Sequence, residues 1–465
     1  MPPARRQGAW LRIGYLALAG FLAAALTGFA YWPGLMSWDP VHQYGEATSG
    51  AITDWHPPTM QWVWQRFMAL TPGPAPMLLL QLGLWWGGLV LFAGTMLRAG
   101  RQRLAWGLLA CGLLPLALAL TGQILKDCLM AGALMTSVGL LALAQQRGGR
   151  TPRIAAGLLL LFAATLRFNA FAACLPLAIA LLPPATRTTA PRLLLTALAA
   201  TIVLPAAMPV ANRLIGAKPS GVTLSLIIFD LGGMTEHAGA SVFPSQLAVV
   251  DPVAANHACY RPHKWDSYSD WVDPECPLGF TAWRRKVEPA GVAATPLWLH
   301  AILAHPLAYA AHRLTHFAYN TRLLPLADAV ERPVQFESAP NDWGFHVTPN
   351  PWLHALDRLA VASAHTPLGW PIVWIGLALG ALVAGWTAPS AGLILPLAAS
   401  SALYGLGYLP LSVAAELRYH LWTGIAALLA TALVVADSRS IPRHRLRLAL
   451  APPLIATLAA LAFRL

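Results

Sequence analysis

Charge is what this chain lacks. Asp, Glu, Lys and Arg make up 11% of its 465 residues, and four of them are lysines. A soluble domain carries about a quarter. The shortage excludes an ordinary soluble globule. Several nucleotide and nucleophile signatures are missing too. There is no Walker A sequence, no G-x-G-x-x-G and no G-x-S-x-G elbow, which counts against a P-loop ATPase, a dinucleotide enzyme and a hydrolase of that type. The five cysteines match no zinc spacing.

What is present is apolar: 57% of the residues are hydrophobic and the mean hydropathy is +0.56. The apolar residues run in long stretches, as in a polytopic membrane protein. The net charge of +12 does not indicate nucleic acid as a partner. The arginines sit in short clusters between apolar runs, which is the topology signal of the positive-inside rule.

A crossing needs about 20 residues. Candidate spans lie near 10–31, 76–97, 104–122, 125–144, 154–167, 169–183, 193–211, 367–386, 390–411, 418–436 and 448–463. The N-terminal MPPARRQGAWLR precedes the first without a small-residue cleavage site, so that span reads as an uncleaved helix. Connections alternate. RAGRQR (98–103), QQRGGRTPR (145–153), TRTTAPR (186–192) and DSRSIPRHRLR (437–447) are Arg-rich and read as cytoplasmic. The opposite set holds all the lysines and thirteen of the fourteen histidines, which places the chemistry outside. The 154–183 stretch reads as two short helices meeting at Arg167, Phe168 and Asn169, because an intramembrane Arg costs about 2.5–3.5 kcal/mol.

The resulting fold class is an all-α polytopic membrane protein of about 11 transmembrane helices with a mixed extracytoplasmic domain. Residues 1–211 form an N-terminal transmembrane module with a first outer loop at 32–75. Residues 212–365 form the extracytoplasmic domain, and residues 366–465 the C-terminal transmembrane helices. Within the outer segment, 295–324 and 350–362 show the apolar spacing of helices lying on the membrane surface, the first started or kinked at Pro306. Cys111, Cys128 and Cys174 read as small hydrophobes, and Cys259 and Cys276 as a disulfide pair.

The first outer loop contains SWDPVHQYGEATSGAITDWHPP (37–58), with three acids and two histidines but no Lys or Arg. Asp39 stands between Trp38 and Pro40, with Gln43 and Glu46 following at near-helical spacing. Asp54 and His56 repeat the theme. A carboxylate at a low-dielectric boundary can be tuned as a general base. Lys126 and Asp127 open the fourth span. Arg167 and Asn169 lie between short spans, and Arg418 and His420 lie in AAELRYHLW. Planar guanidinium donors suit a lipid phosphate; snorkelling and a salt bridge to Glu416 are the plainer uses. His312 and His316 are four residues apart without an obvious acidic third ligand, which reads as helix packing rather than metal.

SWDP, WHPP, LKD, LRFNA and RYHLW, with LIIFDLGGM (226–234) and AHPLAYAAHRL (304–314), resemble segments of the GT-C superfamily of integral-membrane glycosyltransferases. PTMQWVWQRFMAL (58–70) is similar to the amphipathic stretch that follows the first outer loop in that family. The resemblance implies a polyprenyl-phosphate-linked sugar donor and an envelope acceptor (a glycan, lipid or protein) among membrane lipids. It implies Asp39 as base or as a group that orients the acceptor, Asp127 as second acid, and Lys126, Arg167 and Arg418 on the donor phosphate. Inverting transfer on the periplasmic side of a bacterial inner membrane would follow. A divalent cation (Mg or Mn) is allowed, but Pro40 follows Asp39 where many relatives carry an acidic pair, so metal use stays open. A transporter or flippase of lipid-linked sugars and a glycan polymerase or ligase are the alternatives.

Overall fold

The computed structural model describes residues 3–182, 190–272, 274–326 and 332–465, with side chains from residue 11 onward. Most of the TRTTAPR cluster therefore lies outside the described residues. In chain order the principal helices are α1 (Pro3–Tyr31), α2 (Trp38–Ser49), α3 (Thr59–Met68), α4 (Ala75–Arg98), α5 (Gln102–Cys111), α6 (Pro115–Thr121), α7 (Lys126–Arg147), α8 (Thr151–Ala164), α9 (Ala170–Leu181) and α10 (Ala190–Ile215). They continue with α11 (Thr223–Ala238), α12 (Pro252–Cys259), α13 (Ala294–Ala304), α14 (Pro306–Asn320), α15 (Pro351–Ala364), α16 (Pro371–Gly385), α17 (Ala391–Leu406), α18 (Leu421–Asp437) and α19 (Arg443–Ala462).

Seven helices among the described residues are long and apolar enough to cross a membrane, and α5 with α6 form one further candidate bent by 56°. The chain thus has the helices of a multi-pass membrane protein. Where about 11 crossings are expected, the remaining segments are shorter. The bend in 104–122 falls between Cys111 and Pro115, whose ring starts a helix but cannot continue one. The 154–183 stretch breaks at Arg167, leaving α8 with 14 residues and α9 with 12. In 367–386, Pro371 starts α16 late.

The mixed character expected of the outer segment is corrected. Among the described residues there are helices and loops but no strand, and three isolated bridges. That segment has no period-two alternation of apolar residues from which a half-buried strand could form.

The chain divides into two compact units. One comprises 1–218, 328–406 and 417–459; the other comprises 219–327, 407–416 and 460–465. In the first, α4 packs on α7, α7 on α8, and α16, α17 and α18 on one another. Asn350 caps α15, its Oδ1 accepting from the Leu353 N–H at 3.0 Å.

The second unit is built around α11 and α14. The LIIFDLGGM run is most of α11, and AHPLAYAAHRL spans the start of α14, which begins at Pro306. Asp230 on α11 is 0% exposed. It pairs with Arg313, meets His312 Nε2 at 3.1 Å, and accepts from Trp298 Nε1 at 2.8 Å. The Tyr260 hydroxyl lies 2.9 Å from His312 Nδ1. Gly233 makes this approach possible, because a Cβ there would fall 2.0 Å from the His312 ring. Cys259 and Cys276 are joined in a disulfide next to Tyr260.

Candidate functional site

The loop after α1 is steered to the start of α7 by a close backbone contact. Gly34 has φ of +125°, and a Cβ on it would sit 2.5 Å from Ile124. Glycine meets both demands. The Ile124 N–H then donates to the Leu35 carbonyl at 2.8 Å, within a parallel bridge between Leu35 and Gln123. Gln81 fixes the other side of this turn, donating to the Thr121 and Gln123 carbonyls, both at 2.6 Å. Four residues beyond Leu35 comes Asp39; three beyond Gln123 comes Lys126. Both lie in the first turn of their helices, where the helix dipole favours the Asp39 carboxylate.

Asp39 Oδ2 receives two cations. Lys126 Nζ and Arg418 Nη2 are each 2.9 Å away. Oδ1 faces His56 Nε2 at 3.9 Å. Lys126 Nζ also lies 3.2 Å from His56 Nδ1. A lysine ammonium only donates, so Nδ1 accepts and the ring proton sits on Nε2, toward Asp39. Asp39 keeps 28% of its side chain exposed, against 9% for Lys126 and 12% for Arg418. The carboxylate therefore has an open side, with its cations behind it.

The charges act strongly at this depth. Burial works against the ionised Asp39, but Arg418, and then Lys126, outweigh it and hold the carboxyl well below its ordinary range. Burial first, and Lys126 next, push the His56 imidazole well below its ordinary value, so it is neutral at physiological pH.

A second pair adjoins the first through sequence. Asp127 and Arg167 form an ion pair, and the Arg167 guanidinium carbon sits 4.2 Å over the Tyr419 ring. The Arg418 guanidinium carbon lies 5.5 Å from the same ring. Tyr419 thus holds two guanidiniums, and sequence reasoning missed it; its position between Arg418 and His420 was the available signal. Asp127 Oδ2 and Asn169 Nδ2 are buried and have no hydrogen-bond partner among the described residues.

The other candidates are placed differently. Glu46 is engaged within the loop: Oε1 accepts from the Thr53 hydroxyl at 2.5 Å and the Thr53 N–H at 3.1 Å, and Oε2 from Gln61 at 3.1 Å. Gln43 donates to Gln61 at 3.2 Å, completing a chain that ties α2 to α3. The Asp54 N–H donates to the Lys218 carbonyl at 3.0 Å. His420 is buried at the start of α18, 3.4 Å from the Thr423 hydroxyl.

The acids do not fit a divalent cation as they stand. Asp39 is gripped by two side-chain cations and Asp127 by Arg167. Among the described residues no group of three His, Cys, Asp or Glu side chains converges as a metal site. His312 and His316 flank Phe229, with ring centroids 4.7 and 5.0 Å away, and so pack in the second unit.

Compared with protein-family models, curated proteins and solved structures, the chain matches none. The resemblance to the GT-C superfamily is therefore one of short motifs alone.

Proposed function

We propose that this protein is a GT-C-type membrane glycosyltransferase. It moves a sugar from a polyprenyl-phosphate donor to a glycan, lipid or protein acceptor of the envelope. The observation that carries this reading is the seating of Lys126 and Arg418 on one oxygen of a partly open Asp39.

Three cations (Lys126, Arg167, Arg418) face two carboxylates (Asp39, Asp127), leaving one net positive charge. A sugar phosphodiester carries one negative charge, which this balance complements. An Asp bound by two cations is a poor base. Donor phosphate arriving beside Lys126 and Arg418 draws their charge and leaves Asp39 more basic. The acceptor hydroxyl then attacks the anomeric carbon and its proton passes to Asp39. The bond from the anomeric carbon to the phosphate oxygen breaks with inversion. The departing polyprenyl phosphate gains a charge, which the same cations stabilise. No step is routed through a metal.

The accompanying topology is part of the proposal. It has about 11 crossings, the Arg-rich connections in the cytoplasm, and the Asp39 loop and the 212–365 segment facing the periplasm across a bacterial inner membrane.

Mass spectrometry of envelope glycoconjugates tests this reading in wild type, a deletion strain and an Asp39→Asn strain. The expected result is loss of one sugar-sized mass in both mutants, with the variant protein still in the membrane. Removal of a positioned base costs roughly 10²–10⁴-fold. If the deletion loses the mass while Asp39→Asn keeps it, the base assignment is wrong and transport is the better account.

A further inference from the structure

The first unit carries a second feature, away from Asp39 in sequence. A groove of about 590 Å³ runs between α8, α9 and α10, within the roughly 300–1,000 Å³ of ligand sites. Its walls are apolar: Leu158 and Leu161 from α8, Leu181 from α9 and Val203 from α10. Ile154, Leu158 and Leu161 repeat at helical spacing and are exposed, so the face is unpartnered by protein. Arg150 and Arg153 also line the groove, at its α8 N-terminal end. Neither has an ion pair among the described residues. The free N–H groups of that first helical turn add to the positive field.

We propose that this groove binds an anionic phospholipid, with an acyl chain between the three helices and the phosphate at Arg150 and Arg153. The charge pattern selects the occupant. Apolar walls alone would take any lipid tail, whereas two cations at one end of an apolar slot complement a molecule with a phosphate at one end and hydrocarbon beyond it. Arg147, the last residue of α7, adds to the positive charge at the same turn of the chain. Gly157 lines the groove, and a Cβ there meets nothing within 4 Å. The slot can therefore be filled by substitution without disturbing a neighbour.

Native mass spectrometry of the purified, delipidated full chain tests this proposal. The protein is incubated with phosphatidylglycerol or with phosphatidylcholine. Wild type is expected to prefer phosphatidylglycerol roughly thirtyfold, as two membrane-proximal cations imply. Arg150→Gln/Arg153→Gln should lose the preference while still taking up lipid. Gly157→Leu should lose uptake of both lipids with an unchanged unfolding midpoint. Equal binding of the two lipids by wild type overturns the proposal. So does an undiminished preference in the double arginine variant. None of these readouts depends on sugar transfer.

Discussion

Asp39 and Asp230 are each paired with an arginine, yet they sit in opposite surroundings. Asp230 has no exposed side chain, and Arg313, His312 and Trp298 occupy its oxygens from all sides. Arg313 is itself tied down, donating to the Ser412 carbonyl at 2.6 Å. Asp39 keeps 28% exposure, and its two cations crowd one oxygen while the other faces a neutral histidine at 3.9 Å. One arrangement is closed and can only hold the fold. The other leaves one side of a carboxylate open to a further group, with its two cations more deeply buried behind it. An ion pair alone does not mark a working site; the difference lies in which oxygens and which side remain open.

The largest expected effect that would break this comparison is on Asp230. Asp230→Asn leaves a buried guanidinium uncompensated and should cost about 3–5 kcal/mol, read as the thermal unfolding midpoint in detergent. Asp230→Asn combined with Arg313→Met should recover much of that loss. Asp39→Asn should shift the midpoint less, because that carboxylate keeps 28% exposure where Asp230 keeps none. Equal losses at Asp39 and Asp230 would erase the distinction.

Next comes the disulfide beside Tyr260. Its partners are 17 residues apart, and Cys259→Ser should cost about 3 kcal/mol by loop entropy, with the second unit becoming protease-sensitive first. An unchanged unfolding profile would remove the disulfide from the account of that unit's rigidity.

The pH response sharpens the comparison further. Burial pushes His312 below its ordinary value, and His316 well below it. The unfolded chain therefore binds protons below about pH 6.5 that the folded chain refuses. Stability should fall as the pH drops from 7 to 5, by up to about 1.4 kcal/mol per pH unit for each histidine. Asp39 has the opposite history. Its lowered pKa stabilises the fold above the ordinary carboxylate value, about 3.9, and that contribution is lost only in stronger acid. Unfolding at pH 5 and 7 in wild type and His316→Gln measures this; identical slopes would show that His316 titrates alike in both states.

The smallest effect is expected at Tyr419. Tyr419→Phe keeps the ring under both guanidiniums and should leave transfer nearly unchanged. Tyr419→Leu removes the ring and should cost about 1 kcal/mol, seen as slower transfer at constant protein level. A larger loss in Tyr419→Phe would mean that the hydroxyl, and not the ring, does the positioning.

Local pattern made much of this legible. The helix break at Arg167 followed from the cost of burying a guanidinium, and the start of α14 followed from Pro306. Asp39, Lys126 and Arg418 stood out as charges in a charge-poor chain, and they come together. What stayed hidden depends on distant partners. No local signal pairs Asp230 with Arg313, 83 residues onward by their numbering. LIIFDLGGM was recognisable as a motif, but its second glycine acquires a reason only when the His312 ring lies against it. Glu46 looked like one more acid at an outer site, and its engagement by Thr53 and Gln61 appears only once the loop has closed. Hydropathy alone does not register where a proline or a guanidinium interrupts the backbone, so several of the expected spans are shorter or bent helices.

The cluster around Asp39 also sets a clock. Lys126 follows Asp39 by 87 residues, but Arg418 follows by 379. At about 5–20 residues per second, that longer interval is roughly 20–75 s of translation. For the first 87 residues of that interval the acid has neither cation, and from then until Arg418 it has one of the two. A ribosome that stops before Arg418 releases a chain whose Asp39 lacks its second cation. The complete Asp39 cluster thus arrives near the last stage of synthesis, and the order of the chain itself keeps a partial product from assembling it early.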